Sequence, residues 1–281
     1  MGMKYVTLAD LSQTIRKNLW KIPRDIDFIV GVPRSGMIAA SIISSYLNVP
    51  LIDTNSLTAG LEPYGGKRLK YFNASGTGKA LVIDDTVWGG GAMMKTKEML
   101  SGIGTKLIYM CVYLEGRGED AVDLWLEDLR GYTNNFTQIV LYEWNIMQHH
   151  PKLMSRSLYD LDGVLCQDPP DERNEEEYQK YIKNAPPMFI PRTPIAGIMT
   201  YRFEKNRGVT EDWLERQGVQ YGKLIMFDHD TRDISPHRYK GEYYRDHDAF
   251  VLFIESSDRQ AAKIAAIAGK PVYCVETNKM Y

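Results

Sequence analysis

The chain has 281 residues, 44% of them apolar, and a formal charge of −2 at pH 7 from 34 Lys and Arg against 36 Asp and Glu. That length allows one large or two ordinary domains, with enough apolar side chains to bury real cores. The balanced charge excludes a global basic field for nucleic acid or anionic membrane, and no run of about 18 apolar residues is present to span a bilayer. Cys111, Cys166 and Cys274 are widely spaced and form no metal pattern. No continuous apolar stretch opens the chain, so no signal peptide is expected, and a reducing cytoplasm fits.

Leu8, Leu11, Ile15 and Leu19 recur at helical spacing and predict a short amphipathic helix. Residues 27–31 read as the first core strand, 33–36 as a turn, 37–47 as an apolar helix and 50–53 as a second strand. The connection over 57–78 carries Gly60, Gly65, Gly66, Gly76 and Gly78 together with Lys67, Arg68 and Lys70. A connection this long is usually functional or disordered. The third strand is Ala80-Leu-Val-Ile, a continuous apolar run that fits a strand covered on both faces, and it ends in Asp84-Asp85. Thr86-Val-Trp-Gly-Gly-Gly91 then leads into a helix over 92–100. Residues 106–113 and 138–142 predict the fourth and fifth strands. Strands alternating with helices argue for an α/β fold around a parallel sheet.

In an open parallel sheet, ligands bind at the carboxyl ends of the strands. Gly-rich backbone approaches a phosphate closely, and the N–H groups of the following helix point at the anion. Two ionised carboxylates above such a cradle only accept hydrogen bonds, which suits a sugar diol. One strand earlier, Val32-Pro-Arg-Ser-Gly36 offers a second strand-to-helix junction whose amides can nest an anion.

The apolar run, acid pair and Gly-rich loop resemble the phosphoribosyl pyrophosphate signature of type I phosphoribosyltransferases, over about residues 20–145. The resemblance implies that Asp84 and Asp85 hold the ribose hydroxyls and that Thr86, Gly89, Gly90 and Gly91 wrap the 5′-phosphate. It also implies that Arg34, Ser35 and Gly36 meet the pyrophosphate, while Lys67 and Arg68 close over it as it departs. Closure of such a loop keeps water from the reacting sugar carbon. Phosphoribosyl pyrophosphate with Mg²⁺ is the implied substrate. The family places Thr or Ser where this chain has Trp88, Gly89 and Ala92, so the phosphate donors there are backbone amides.

After residue 151 a new pattern starts. Ser157-Leu-Tyr-Asp160-Leu-Asp162 is a short apolar strand ending in Asp-x-Asp. Residues 167–192 are acidic and Pro-rich and read either as a small lid over Asp160 or as a solvated loop. A strand over 194–200 ends in Thr200, a helix covers 210–218 and a strand 223–227. Lys240 follows, then a strand over 250–255 running into Glu255 and Asp258, a helix over 261–269 and a last strand over 271–275. This order resembles the haloacid-dehalogenase-type (HAD) hydrolases over about residues 156–277. The resemblance implies that Asp160 attacks phosphorus, that Asp162 is the general acid and base, and that Thr200 and Lys240 bind the phosphate. It places a second Mg²⁺ on Asp160, Asp162, Glu255 and Asp258.

The expectation is therefore an α/β chain of two domains, each an open, mostly parallel sheet flanked by helices. Residues 1–153 would be phosphoribosyltransferase-like and 154–281 a HAD-like phosphatase. The function implied is bifunctional nucleotide metabolism: phosphoribosyl transfer, then Mg²⁺-dependent phosphate-ester hydrolysis. Its partners would be small nucleotides or sugar phosphates, with neither nucleic acid nor membrane, and with room for a homodimer. The alternative is a first domain that senses a nucleotide without turnover and regulates the phosphatase or a partner, since Trp88 and Gly89 replace hydroxyls.

Overall fold

The structure, a computed structural model, describes residues 2–66, 78–133, 138–148, 151–169, 174–228 and 233–281. Its contacts divide the chain into two units, Gly2–Trp144 and Asn145–Tyr281.

The first unit opens with β1 (Gly2–Val6) and α1 (Leu8–Asn18). Thr7 caps α1: its hydroxyl accepts from the Asp10 N–H, and the Asp10 carboxylate accepts from the Thr7 N–H. Next come β2 (Phe28–Gly31), α2 (Gly36–Leu47), β3 (Leu51–Asp53), α3 (Thr54–Thr58), β4 (Lys79–Val87) and α4 (Gly91–Met99). The unit closes with β5 (Lys106–Leu114), β6 (Leu124–Asp128), α5 (Arg130–Thr133) and β7 (Gln138–Tyr142). Five strands form a parallel sheet in the order β3-β2-β4-β5-β6.

Successive side chains of β4 go to opposite faces, and each face has its own core. Leu81 and Ile83 pack with Leu11 and Ile15 of α1 and Ala39 and Ile43 of α2, while Ala80 and Val82 pack with Met93 and Leu100 on the other side. Each fully buried Leu or Ile contributes about 1.5–3 kcal/mol, which accounts for the unbroken apolar run. The strand predicted over 138–142 forms, but it pairs with β1 outside the main sheet. The fifth position of the sheet belongs to β6, where Leu126 is the one fully buried side chain. An edge strand of that kind carries no continuous apolar run to reveal it.

The second unit contains α6 (Pro151–Met154), β8 (Ser157–Tyr159), α7 (Glu175–Asn184), β9 (Ile195–Phe203), α8 (Arg207–Arg216) and β10 (Tyr221–Phe227). It continues with α9 (Pro236–Asp246), β11 (Leu252–Glu255), α10 (Asp258–Ala268), β12 (Val272–Cys274) and β13 (Lys279–Met280). The sheet order is β10-β9-β8-β11-β12-β13, parallel except for β13. One core joins Leu158, Phe253 and Val272 to Tyr244 of α9 and to Ala261 and Ile264 of α10.

Two expectations change here. The strand expected to stop at Thr200 runs on to Phe203, because pairing with β10 resumes at Phe203 after a register shift. The stretch expected as a lid or loop contains α7, whose Tyr178 and Ile182 are buried and which packs on α8. The Trp213 indole N–H donates to the Ala185 carbonyl at 2.8 Å and fixes the end of that helix.

The residues before β8 hold it in place. The Ser157 hydroxyl donates to the Leu153 carbonyl at 2.7 Å, and the Tyr159 hydroxyl reaches the Met147 carbonyl at 3.4 Å. A chain of residues 145–281 should therefore resist urea better than one of 154–281, which loses both acceptors. The difference expected is about 1–3 kcal/mol for a buried donor left unmade. Equal midpoints would put the join at 153/154, as read from the sequence.

Candidate functional site

In the first unit β2 ends at Gly31, opposite Ile83, whereas β4 continues to Val87 beside β5 alone. Asp84 and Asp85 sit where β4 has lost its β2 neighbour, and both are buried. Although the two are consecutive in the strand, their side chains hydrogen-bond to each other. Asp84 Oδ1 accepts the Asp85 N–H at 2.9 Å. Asp85 Oδ2 accepts the indole N–H of Trp144 at 2.6 Å. Burial first, and the neighbouring Asp85 second, push the Asp84 carboxyl from 3.8 up to about 8.

The loop after β2 turns directly onto this pair. Val32 N–H donates to the Ile83 carbonyl at 2.9 Å. A Cβ on Gly36, the first residue of α2, would lie 2.8 Å from the Ile83 carbonyl oxygen and 2.9 Å from Asp84 Oδ1. Only a glycine lets the α2 N-terminus come this close. Arg34 and Ser35 precede it, with Arg34 exposed.

On the far side, Thr86 and Val87 complete β4, and Trp88 is 70% exposed. Gly90 caps α4 with φ of +75°, in the left-handed region, and a Cβ there would meet that of Ala121 at 2.7 Å. Gly89 and Gly91 face open space. Past the end of β5 stands Glu115, whose Oε1 accepts from the Tyr142 hydroxyl at 2.5 Å. Its carboxyl is pushed up to about 7, chiefly by burial. Lys67 and Arg68 lie outside the described residues.

In the second unit Asp160 follows β8 directly, and its N–H donates to the Ile254 carbonyl at 2.8 Å. Its Oδ2 lies 2.7 Å from Lys240 Nζ, and the same ammonium lies 2.7 Å from Glu255 Oε2. All three side chains are buried. Burial and the Glu255 charge push Asp160 well above the ordinary carboxylate range. Burial opposes charge on Glu255 too, but there Lys240 prevails and holds it below that range.

Asp162 has a separate partner. Arg202 Nε donates to its Oδ2 at 2.9 Å and Arg202 Nη2 to its Oδ1 at 2.6 Å, a two-pronged fork. Arg202 is itself 2% exposed. Its backbone N–H donates to the Thr200 hydroxyl at 3.2 Å.

Of the four acids expected to share a second Mg²⁺, Asp160 and Glu255 meet, while Asp162 and Asp258 are held by other partners. Lys240 stands between Asp160 and Glu255, and Arg202 takes both oxygens of Asp162. Asp258 caps the C-terminal turn, accepting from the hydroxyls of Thr277 and Tyr281. Among the described residues no three acids, histidines or cysteines are grouped to hold a metal ion. These residues, so arranged, do not fit a metal cage. In the first unit the hard oxygens of Asp84 and Asp85 suit a divalent cation as they suit a diol.

Residues 5–145, half of the chain, match the family described as Phosphoribosyl transferase domain. The chain belongs to this phosphoribosyltransferase family. Among curated relatives it is 31% identical over 110 residues to the xanthine-guanine phosphoribosyltransferase of Chromohalobacter salexigens, covering 38% of this chain and 65% of that one. It is 23% identical over 130 residues to the transcriptional regulator GfcR of Methanothrix thermoacetophila, covering 43% and 64%. The chain thus spans just under two thirds of each relative. A solved purine phosphoribosyltransferase from Pyrococcus horikoshii Ot3 is 19% identical, with a TM-score of 0.36 over 51% of this chain and 94% of that one. Among the described residues no helix is long and apolar enough to cross a membrane.

In this phosphoribosyltransferase unit Asp84, Asp85 and Thr86 lie together on β4, Gly36 packs on Asp84 and Gly90 packs on Ala121. Three residues escaped the sequence reading: Trp144, Tyr142 and Glu115. Glu115 had a visible signal, an acid directly after an apolar strand, whereas Trp144 had none. In the second unit Asp160, Lys240 and Glu255 meet, and Arg202 was missed as the partner of Asp162.

Two outcomes follow for stability. The Asp84 carboxyl titrates far above its unfolded value, so its contribution is full below about pH 4 and is lost as pH rises towards 8. The thermal midpoint of the wild-type chain, relative to Asp84→Asn, should fall between pH 5 and pH 8; parallel profiles would refute this. Lys240→Met leaves Asp160 and Glu255, hydrogen-bonded to each other, without their buried cation. It should cost about 3–5 kcal/mol in urea unfolding of the second unit, and a loss under 1 kcal/mol would contradict the buried pairing.

Proposed function

We propose that the first unit binds phosphoribosyl pyrophosphate and transfers its phosphoribosyl group to a nucleobase. Asp84 and Asp85 take the ribose hydroxyls. Thr86 and the amides of Gly89, Gly90 and Gly91 take the 5′-phosphate. Arg34, Ser35 and Gly36 take the pyrophosphate, with Lys67 and Arg68 drawn to it as it leaves. The observation that carries this reading is the packing of Gly36 on Asp84, which brings the loop after β2 onto the acid pair. In the transfer a base nitrogen bonds to C1′ as the C1′–O bond breaks, and the pyrophosphate departs with the electron pair. Mg²⁺ would be held by the substrate's oxygens with Asp84 and Asp85, and it would neutralise the leaving group's charge. The relative named as a xanthine-guanine phosphoribosyltransferase makes purines the first bases to try.

For the second unit the reading is a HAD-like phosphate-ester hydrolase that folds as its own domain. Asp160 is the nucleophile, Asp162 the acid and base, and Thr200 and Lys240 the phosphate contacts. What supports it is Asp160 at the end of a strand with neighbours on both sides, 2.7 Å from a buried lysine.

A second reading has a specific observation behind it. Trp88 stands exposed in the phosphate loop where a hydroxyl donor would serve turnover, and one relative is named a transcriptional regulator. On that reading the first unit binds its ligand and signals.

Calorimetry with phosphoribosyl pyrophosphate and Mg²⁺, beside an assay of pyrophosphate release with a panel of bases, separates the two. The transferase reading expects binding and release, both abolished in the folded Asp84→Asn/Asp85→Asn double variant. Binding without release from any base favours the sensor, and unchanged affinity in the double variant sinks the sugar-site assignment. Phosphatase activity on nucleotides, if present, should vanish in Asp160→Asn.

A further inference from the structure

The segment that closes the first unit reaches two of the acids at the strand ends. Tyr142 donates its hydroxyl to Glu115 Oε1 at 2.5 Å, and two residues on Trp144 donates its indole N–H to Asp85 Oδ2 at 2.6 Å. The rings are ordered as a series. The Trp144 and Tyr142 centroids lie 4.8 Å apart, and those of Tyr142 and the buried Tyr113 of β5 lie 5.6 Å apart. Tilted contacts at these spacings are attractive and fix ring planes. The indole therefore meets Asp85 from a held direction.

We propose that Trp144 is a positioning residue for the sugar site, its N–H fixing the direction of the Asp85 carboxylate that is to take a ribose hydroxyl. The proposal rests on Asp85 being a sugar ligand. The physical grounds are three. An indole has one donor and no acceptor, so this bond can run only from Trp144 to the acid. A short bond from N–H to a carboxylate is charge-assisted and stronger than a neutral one. A carboxylate held before the ligand arrives spares the ordering cost that binding would otherwise bear. Asp84 is held differently, by the backbone N–H of its neighbour.

The test removes the N–H and nothing else. Benzothienylalanine at position 144 keeps the shape of the indole and puts sulfur where the N–H was; Trp144→Phe is the simpler companion. Affinity for phosphoribosyl pyrophosphate with Mg²⁺ is measured by calorimetry on the full chain, with thermal midpoints recorded to confirm folding. Loss of a hydrogen bond to a charged group predicts roughly ten- to hundredfold weaker binding by the benzothienyl chain, its midpoint near that of wild type. A comparable loss in Trp144→Phe agrees. Wild-type affinity in the benzothienyl chain overturns the proposal whatever the phenylalanine variant does. No binding by the wild-type chain overturns the sugar-site reading itself, and this inference with it.

Discussion

Burying carboxylates is the constraint on which both halves of this protein depend. A carboxylate taken out of water must be paired, hydrogen-bonded or protonated, since the desolvation cost of a free one is prohibitive. In the second unit Lys240 lies between Asp160 and Glu255 and Arg202 forks onto Asp162, yet burial still pushes Asp160 well above the ordinary range. In the first unit Asp84 accepts from a backbone N–H and Asp85 from an indole, and burial leaves Asp84 holding its proton up to about pH 8.

Close approach is the second device. Gly36 touches Asp84 and the Ile83 carbonyl, and Gly90 lies against Ala121, so neither loop at the end of β4 can accept a Cβ without moving. Both loops are thereby held by close backbone approach, and Trp88 stands 70% exposed in the second.

The two units follow one topological rule with different parts. Each places its acids at the carboxyl end of a strand with a neighbour on both sides, β4 in one sheet and β8 in the other. Ligand sites of open α/β sheets lie there because the loops diverge at that edge. The loops differ in what they bring: glycines and helix N-termini in the first unit, a buried lysine and arginine in the second.

The sequence by itself determined what short range dictates. The apolar run at 80–83 announced a strand buried on both faces, and the glycines after it announced the turn into a helix. The order of strands and helices announced parallel α/β sheets in both halves. The Asp-x-Asp after β8 was equally plain. What the sequence could not carry were pairings between distant residues. That Trp144 meets Asp85, Tyr142 meets Glu115 and Arg202 forks onto Asp162 depends on contacts 59, 27 and 40 residues apart, for which no local spacing exists. The strand at 138–142 was legible as a strand, but not as the partner of β1, because hydrophobic period reveals a strand's faces and not its neighbours. Asp258 shows the converse. Its position after an apolar strand suggested a metal ligand, yet the C-terminal hydroxyls of Thr277 and Tyr281 claim its carboxylate. Burial and partners decide what a carboxylate does, and only tertiary structure assigns them.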